Sequence, residues 1–259
     1  MQRTAMVNYH VSSPEQQAYH IDADGEKGKI LSPVLVPTKV PVRDVRDTDV
    51  AVTFEEDSVT FLHAPSTISD FDEGRGWESR YDQELRDLLT EQLSVKDVVV
   101  FDHTVRIDDP ASGRKPARNV HSDYSPDGAK QRLIDILGEE KAAIWGEGHY
   151  AFINVWRPVE NPINNAPLGF VRPKSVAVDD WVLIRLVYPD RIGQIMGLVA
   201  NEAHEWVYQS TMTPDEVAFF NIYDSAGLPS IGHSALDLVE DSRIETVRMS
   251  IESRTLVRY

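Results

Sequence analysis

Short apolar runs recur along the second half of the chain and are separated by proline, glycine and acidic turns. Strand-like runs of this length and spacing are typical of an antiparallel sandwich or barrel. The pattern therefore predicts a β-rich second half. The seven runs after residue 150 are AFINVWRPV, APLGFV, DWVLIRLVY, IMGLVANEAHEWVY, EVAFFNIYDS, GHSAL and ETVRMSIESRTLVRY.

Two amphipathic helices are predicted in the first half of the chain. Leucines at helical spacing place one apolar stripe along residues 81–93, YDQELRDLLTEQL. A buried strand, VVVFDHTVRI, is expected to follow. The alternating stretch PARNVHSDYS then predicts another strand, which leads into a second helix after Ser125 and Pro126.

The remaining segments complete one α+β, mainly β domain over residues 1–259, with helices first and strands second. Residues 1–48 are polar and punctuated by proline, which favours an extended N-terminal arm lying over a core. Residues 49–150 would hold a hairpin, the helices and the HSD strand, and residues 151–259 the other strands. The hairpin is predicted from Val50 to His63, because apolar residues alternate on both sides of an EEDS turn.

Composition narrows the chemistry and the partners. The chain has no cysteine, which excludes disulfide scaffolds, thiolate metal sites and thiol nucleophiles. Any metal must therefore bind to His, Asp or Glu. The net charge of −16 disfavours nucleic acid. No run of apolar residues could span a membrane, and the first residues lack a signal-peptide pattern. We expect a cytoplasmic protein that acts on a small molecule, without nucleic acid or membrane partners, and we leave room for a homodimer.

His121 and Asp123 are the first candidates for a metal site. Residues two apart on a strand point to the same face, so the imidazole and the carboxylate can converge on one point. A third imidazole from a distant strand would complete two histidines and one carboxylate on one face of a metal, the arrangement of non-haem Fe(II) oxygenases. Alone, this HxD pattern is a weak indicator.

Support comes from the end of the chain, where His233 precedes a strand that carries Arg248 and Ser250. Oxygenases that use 2-oxoglutarate place an arginine, often in an Arg-x-Ser pattern, on the strand after the third ligand. A planar guanidinium binds a carboxylate through two parallel hydrogen bonds and stays charged when buried. The alternative is ion pairing on an exposed face of the sheet. The arginines would be Arg248 and Arg254, and their acidic partners Glu245 and Glu252.

Five segments together resemble the CmcJ/NvfI-type oxidoreductases, relatives of fungal gibberellin desaturase and aspergillic acid hydroxylase. They are YDQELRDLLTEQLSVKDVVVFDHTVR, PARNVHSDYSPDGAKQRL, FINVWRPV, EWVYQSTMTPDEVAFFNIYDS and GHSALDL with RMSIESRTLV, in order from Tyr81 to Val257. The resemblance implies a double-stranded β-helix (jelly roll, cupin-like) with flanking helices. It also implies an Fe(II)- and 2-oxoglutarate-dependent dioxygenase that uses O2. Such an enzyme would hydroxylate, desaturate or cyclise a small secondary metabolite or amino-acid-derived compound and release succinate and CO2.

Site residues follow from the resemblance, position by position. HSD matches the family's HxD motif, HSAL matches HTAF, and RMSIESR and NVWRP are intact. HEWVY departs from the family's HRWYY, with Glu205 where arginine is usual. The implied roles are catalytic iron ligation by His121, Asp123 and His233, cosubstrate binding by Arg248, Ser250 and Asn154, and substrate contact by His204, Trp206 and Trp156.

Several alternatives stay open. His204 could replace His233 as the third ligand, although His233 opens the strand just before the arginine strand. A non-catalytic jelly-roll binding protein would keep the fold, and a zinc hydrolase would use the same ligands. The other histidines, His10, His20, His63, His103 and His149, have no partner spacing and are expected to be surface or core residues. An anionic substrate would require more basic residues, for which the candidates are Arg157, Arg172, Lys174 and Arg254.

Overall fold

The computed structural model describes residues 2–26, 28–47, 49–72, 74–239 and 246–259. These residues are mainly β-structure, which confirms the expected β-rich class. In chain order the strands are β1 (Gln2–His10), β2 (Gln17–Ile21), β3 (Ile30–Leu31), β4 (Leu35–Asp44), β5 (Val59–His63), β6 (Asp97–Ile107), β7 (His121–Ser122), β8 (Tyr150–Pro158), β9 (Leu168–Val171), β10 (Trp181–Val187), β11 (Ile192–Leu198), β12 (Trp206–Tyr208), β13 (Glu216–Asp224), β14 (Gly232–Ala235), β15 (Asp237–Leu238) and β16 (Met249–Arg258).

Few helices accompany these strands. Both predicted amphipathic helices are confirmed, and the second begins where Ser125 Oγ accepts a hydrogen bond from the backbone N–H of Gly128. A short helix after the second one was not predicted. Among the residues that the structure describes, none of the helices is long and apolar enough to cross a membrane. The four helices are α1 (Phe54–Asp57), α2 (Glu78–Leu93), α3 (Pro126–Leu137) and α4 (Glu139–Gly146).

The strands form two sheets. The larger sheet has the order β15-β1-β4-β12-β9-β14-β7-β11-β10-β2-β3, and the smaller has the order β5-β13-β8-β16-β6. Most neighbours are antiparallel, as predicted, whereas β2 pairs with β10 and β4 with β12 in parallel. The strands that carry His121 and His233 are therefore central in the larger sheet, and the arginine strand β16 lies in the smaller one.

Side chains that alternate along β8 separate two cores. Phe152 and Trp156 face the larger sheet, where they pack in one cluster with Phe170. Ile153 and Val155 face the opposite side and pack against the apolar stripe of α2. This period of two follows from strand geometry. It places Asn154, which shares the face of Phe152 and Trp156, between the sheets.

The N-terminal segment contributes strands to the larger sheet. The predicted arm forms β1 to β4, and β1 pairs with β4 along its whole length. Tyr9 and Val42 pack there with Val171, Leu198 and Trp206 in a third core. The segment is thus an integral part of the larger sheet, with its own buried side chains.

Three details differ from the predictions. The hairpin over Val50–His63 is wrong, because the acidic turn forms α1 and only β5 is a strand. Thr53 Oγ1 caps α1, acidic side chains in its first turn suit the positive end of the helix dipole, and Ser58 ends it with a φ of 58°. The order of helices before strands is also wrong, since five strands precede α2. Finally, β6 is half-buried rather than buried, because it lies at the edge of the smaller sheet.

Candidate metal centre

Three potential metal ligands converge between the sheets. His121 on β7 lies directly opposite His233 on β14, and Asp123 follows β7. Asp123 Oδ1 lies 3.4 Å from His121 Nε2 and 3.9 Å from His233 Nε2. All three residues are buried, and one ligand atom from each falls within 4.8 Å of the others. Two imidazoles and one carboxylate in this arrangement can bind one face of a metal ion.

Both imidazoles turn a ring nitrogen toward the candidate metal position. The Nδ1 of His121 lies 2.8 Å from the carbonyl oxygen of Asn119, which can only accept, so Nδ1 donates and Nε2 is the nitrogen that faces Asp123. Burial, with His121 nearby, lowers the pKa of His233 to about 3. His233 is therefore neutral near pH 7, as ligation requires.

Asp123 is fixed by two donors. Asn154 Nδ2 and Arg254 Nε each donate to Asp123 Oδ2, both at 2.9 Å. Burial alone would raise the pKa of this carboxyl, but Arg254 and His121 hold it well below its usual range. Asp123 is thus a carboxylate whose Oδ2 is already hydrogen-bonded and whose Oδ1 faces the two histidines. Donors of this kind orient a ligating carboxylate.

A pocket adjoins the two histidines. Arg248 lines it and is 2% exposed, yet its Nε and NH1 atoms have no hydrogen-bond partner among the described residues. Its guanidinium lies 5.5 Å from the ring centre of Trp156. Burial, with Arg106 nearby, lowers the pKa of Arg248 to about 9. The pocket is lined by Arg106, Ala117, His121, Trp156, Leu168, His233, Ala235, Arg248 and Glu252.

The residues predicted to contact the cosubstrate are found in different places. Arg248 lines the pocket, and so does Trp156, which was expected to contact the substrate. Ser250 is buried, and its Oγ has no hydrogen-bond partner in the described structure. Asn154, expected to bind the cosubstrate, donates to Asp123 instead. Its position on the inward face of β8 was predictable, but the distance from its amide to Asp123 depends on how the two sheets pack.

His204 and Trp206 lie away from the triad, in the third core. Trp206 Nε1 donates to Tyr9 Oη at 2.9 Å, and Tyr9 Oη lies 2.9 Å from His204 Nδ1. His204 Nε2 lies 3.1 Å from Asp180 Oδ2. Burial lowers the pKa of His204 despite Asp180, so the ring is neutral, accepts from Tyr9 and donates to Asp180. With both nitrogens engaged, His204 has no lone pair left for a metal, and the geometry favours His233.

The basic candidates for an anionic substrate are all engaged elsewhere. Arg157 donates to Tyr81 Oη and to two backbone carbonyls, and Arg172 forms a bidentate ion pair with Asp57. Lys174 lies 3.4 Å from an exposed carboxylate, and Arg254 binds Asp123. None of these four residues lines the pocket.

The remaining histidines lie outside the triad. His10 is buried, His103 and His149 are half-buried, and His20 and His63 are exposed. Of these, His103 and His149 hydrogen-bond carboxylates far from Asp123 in the chain. These positions agree with the surface and core roles expected of them.

Sequence reasoning missed Arg106 and Glu252 as pocket residues. The alternative interpretation of the sequence paired Glu252 with arginine on an exposed face. Glu252 is instead 5% exposed, lines the pocket and forms an ion pair with Arg254 at 2.5 Å. Arg248 is buried rather than paired on the surface, and Glu245 lies outside the described residues. Arg106 could have been found only from the register of β6 against β16, which places it opposite Ser250.

Comparison with known proteins assigns the family. Residues 7–258 match the family model described as oxidoreductase/YMDC permease-like domain. The chain belongs to this family. The match covers nearly the whole chain, so it includes the triad, the pocket and the N-terminal strands. The predicted kinship with the NvfI-type oxidoreductases is confirmed.

Individual relatives point in the same direction. The chain is 28% identical to hydroxylase/desaturase efuI of Hormonema carpetanum, over 84% of this chain and 82% of that protein. It is 29% identical to the Fe(II)/2-oxoglutarate-dependent dioxygenase nvfI of Aspergillus novofumigatus, over 84% and 80%. A solved structure of the iron- and alpha-ketoglutarate-dependent endoperoxidase NvfI superposes with a TM-score of 0.87 at 23% identity, covering 99% of this chain and 98% of that one. This last likeness establishes the shared fold.

Proposed function

We propose that the chain is an Fe(II)- and 2-oxoglutarate-dependent oxygenase that oxidises a small secondary metabolite or amino-acid-derived compound. One observation carries the proposal: a buried triad of two histidines and a carboxylate shares a pocket with Arg248, whose buried Nε and NH1 have no hydrogen-bond partner among the described residues. Relatives named hydroxylase/desaturase and Fe(II)/2-oxoglutarate-dependent dioxygenase support it.

The triad suits ferrous iron. Its donor set is two neutral imidazoles and one carboxylate oxygen, which leaves further positions of a metal open for other ligands. The atoms already lie within 4.8 Å of one another, so small side-chain movements would close them around an ion. His121, Asp123 and His233 would hold the iron, while Asn154 and Arg254 orient Asp123 through its Oδ2.

The pocket suits 2-oxoglutarate. Two buried nitrogens of Arg248, Nε and NH1, have no hydrogen-bond partner among the described residues, so they could donate to a carboxylate. That carboxylate would be the end of the cosubstrate farther from the metal. Ser250 would add a hydroxyl donor beside it. When bound, iron, 2-oxoglutarate and O2 supply the oxidising chemistry, which yields succinate and CO2. The protein positions the reactants and keeps water away from them. Apolar pocket walls formed by Trp156, Leu168 and Ala235 would exclude water.

The proposed core is a double-stranded β-helix. The two sheets enclose the triad between them, and β7, β14 and β16 bring their residues to one pocket, as such a core requires. We also place the enzyme in the cytoplasm, where reducing conditions keep iron ferrous. A homodimer remains a prediction of the sequence.

The rival functions lack a comparable observation. A zinc hydrolase could use the same three ligands, but it would have no need for a buried arginine beside them whose Nε and NH1 have no hydrogen-bond partner in the described structure. A binding module without turnover would have no need for a carboxylate held in a single orientation next to two histidines.

A substrate screen coupled to succinate release tests the function. With Fe(II), 2-oxoglutarate and O2, we expect slow succinate release by the protein alone and faster release with compounds that fit the pocket. Omitting iron should stop both reactions, and replacing Fe(II) with Zn²⁺ should not restore them. Hydrolysis with Zn²⁺, without succinate, would support the hydrolase instead.

A further inference from the structure

Two guanidinium groups face the pocket beside the triad. Arg248 directly precedes β16, and Arg106 lies on the neighbouring strand β6, opposite Ser250. Both arginines line the pocket, as do His121 and His233. The Arg-x-Ser motif accounts for Arg248 but does not involve Arg106.

The two arginines lie close enough to repel each other. Burial lowers the pKa of Arg106, and the proximity of the two arginines contributes to the lowered pKa of Arg248. Arg106 donates from NH1 to the carbonyl oxygen of Lys115, whereas Nε and NH1 of Arg248 have no partner in the described part of the chain. Like charges kept close in a buried place are stabilised by an opposite charge that contacts both.

The order of side chains along the smaller sheet places Arg106 between Arg248 and the metal ligands. On the inward face of β16, Arg254 lies beside Asp123, Glu252 comes next, then Ser250, and finally Arg248. Each step of two residues is about 7 Å along a strand. Arg106 is level with Ser250, one step closer to Asp123 than Arg248 is. An anion that reaches from the metal toward Arg248 would therefore pass Arg106.

Carboxylates are concentrated at the metal end of this row of side chains. Arg254 is surrounded by them, with Asp102 at 2.6 Å, Glu252 at 2.5 Å and Asp123 at 2.9 Å. Glu252 also attracts Arg106 across the strand pair. At the other end, Nε and NH1 of Arg248 have no hydrogen-bond partner among the described residues. A second carboxylate of a ligand could bind there, which a 2-oxo diacid supplies and a 2-oxo monoacid does not.

We propose that Arg106 is a second cosubstrate-binding residue, which holds the distal carboxylate of 2-oxoglutarate together with Arg248. Glu252 keeps the Arg106 guanidinium turned into the pocket. The inference rests on the proposed function, and it adds a contact that makes the site select a diacid over a monoacid of the same length.

Arg106→Gln tests the inference by ligand binding rather than by turnover. The Fe(II)-loaded protein is titrated without oxygen, and the visible charge-transfer absorption gives the Kd of 2-oxoglutarate. We expect the Kd to rise about 10- to 100-fold, since a hydrogen bond between charged groups is lost. The Kd of 2-oxovalerate, which has the same chain length without the distal carboxylate, should stay unchanged. The control Arg185→Gln removes one positive charge from an exposed position on β10 and should change neither Kd.

Arg106→Lys is the second variant, and it keeps the charge if the glutamine variant folds poorly. We expect a smaller loss for 2-oxoglutarate, because an ammonium group cannot donate in two parallel bonds. Wild-type affinity for 2-oxoglutarate in both variants would overturn the inference. Equal losses for 2-oxoglutarate and 2-oxovalerate would overturn it as well, since they would indicate general damage to the pocket. The absence of a charge-transfer band in the wild-type protein would contradict the proposed function itself.

Discussion

Asp123→Ala is expected to abolish Fe(II) binding and, with it, succinate release. Asp123 supplies the triad's anionic ligand, and its Oδ1 faces both imidazoles at 3.4 and 3.9 Å. Losing even an outer-shell partner of a metal site costs about 10- to 100-fold in affinity, so loss of the ligand itself should exceed 100-fold. Iron content after anaerobic loading and desalting measures the effect.

The variant should still fold, because Arg254 keeps two of its three carboxylate partners, Asp102 and Glu252. We expect a loss of about 1–3 kcal/mol of stability, visible in a thermal melt of the metal-free protein. Asp102→Asn is the matched control: it removes a carboxylate from the same arginine without touching the triad, so iron binding should persist. An Asp123→Ala protein that retains one iron per chain at wild-type affinity would refute the assignment.

His233→Ala and His204→Ala should affect different properties. The first should abolish iron binding, and the second should lower stability without affecting iron. His233 lies opposite His121 with its Nε2 near Asp123, whereas both ring nitrogens of His204 are hydrogen-bonded in the third core. His233→Ala should therefore lose iron as Asp123→Ala does. His204→Ala should keep iron with unchanged affinity.

The His204 variant should instead be less stable. The substitution removes the acceptor of the buried Tyr9 hydroxyl and one of the donors to Asp180, which costs about 1–3 kcal/mol, or several degrees in Tm for a chain of this size. Iron stoichiometry and thermal melts of both variants check the pair. If His204→Ala lost iron while His233→Ala kept it, the third ligand would have to be reassigned.

Local patterns predicted those parts of the molecule that depend on neighbouring residues. The leucine stripe of α2 and the Ser125-Pro126 start of α3 are signals within one element, and the structure agrees with both. The HxD spacing likewise predicted that His121 and Asp123 would lie close together, and they do so where the short strand β7 ends. The family could be predicted because its motifs follow one another in order over two thirds of the chain.

Packing between distant elements could not be read from the same patterns. Alternation over Val50–His63 suits a hairpin, but the cap at Thr53 and the acidic first turn of α1 prevail. The inward face of Asn154 was predictable, yet its partner Asp123 was not, because that contact depends on how the two sheets approach. Arg106 was missed for the same reason, since the register of β6 against β16 brings it into the pocket.

Anaerobic addition of 2-oxoglutarate to the Fe(II)-loaded wild-type protein tests most directly whether one pocket holds both metal and cosubstrate. We expect a weak visible charge-transfer band that saturates at one 2-oxoglutarate per chain, because the metal ligands and Arg248 face one pocket. The band should be absent when Zn²⁺ replaces Fe(II). No band at saturating 2-oxoglutarate, in a protein that holds one iron per chain, would contradict the claim that this pocket binds metal and cosubstrate together.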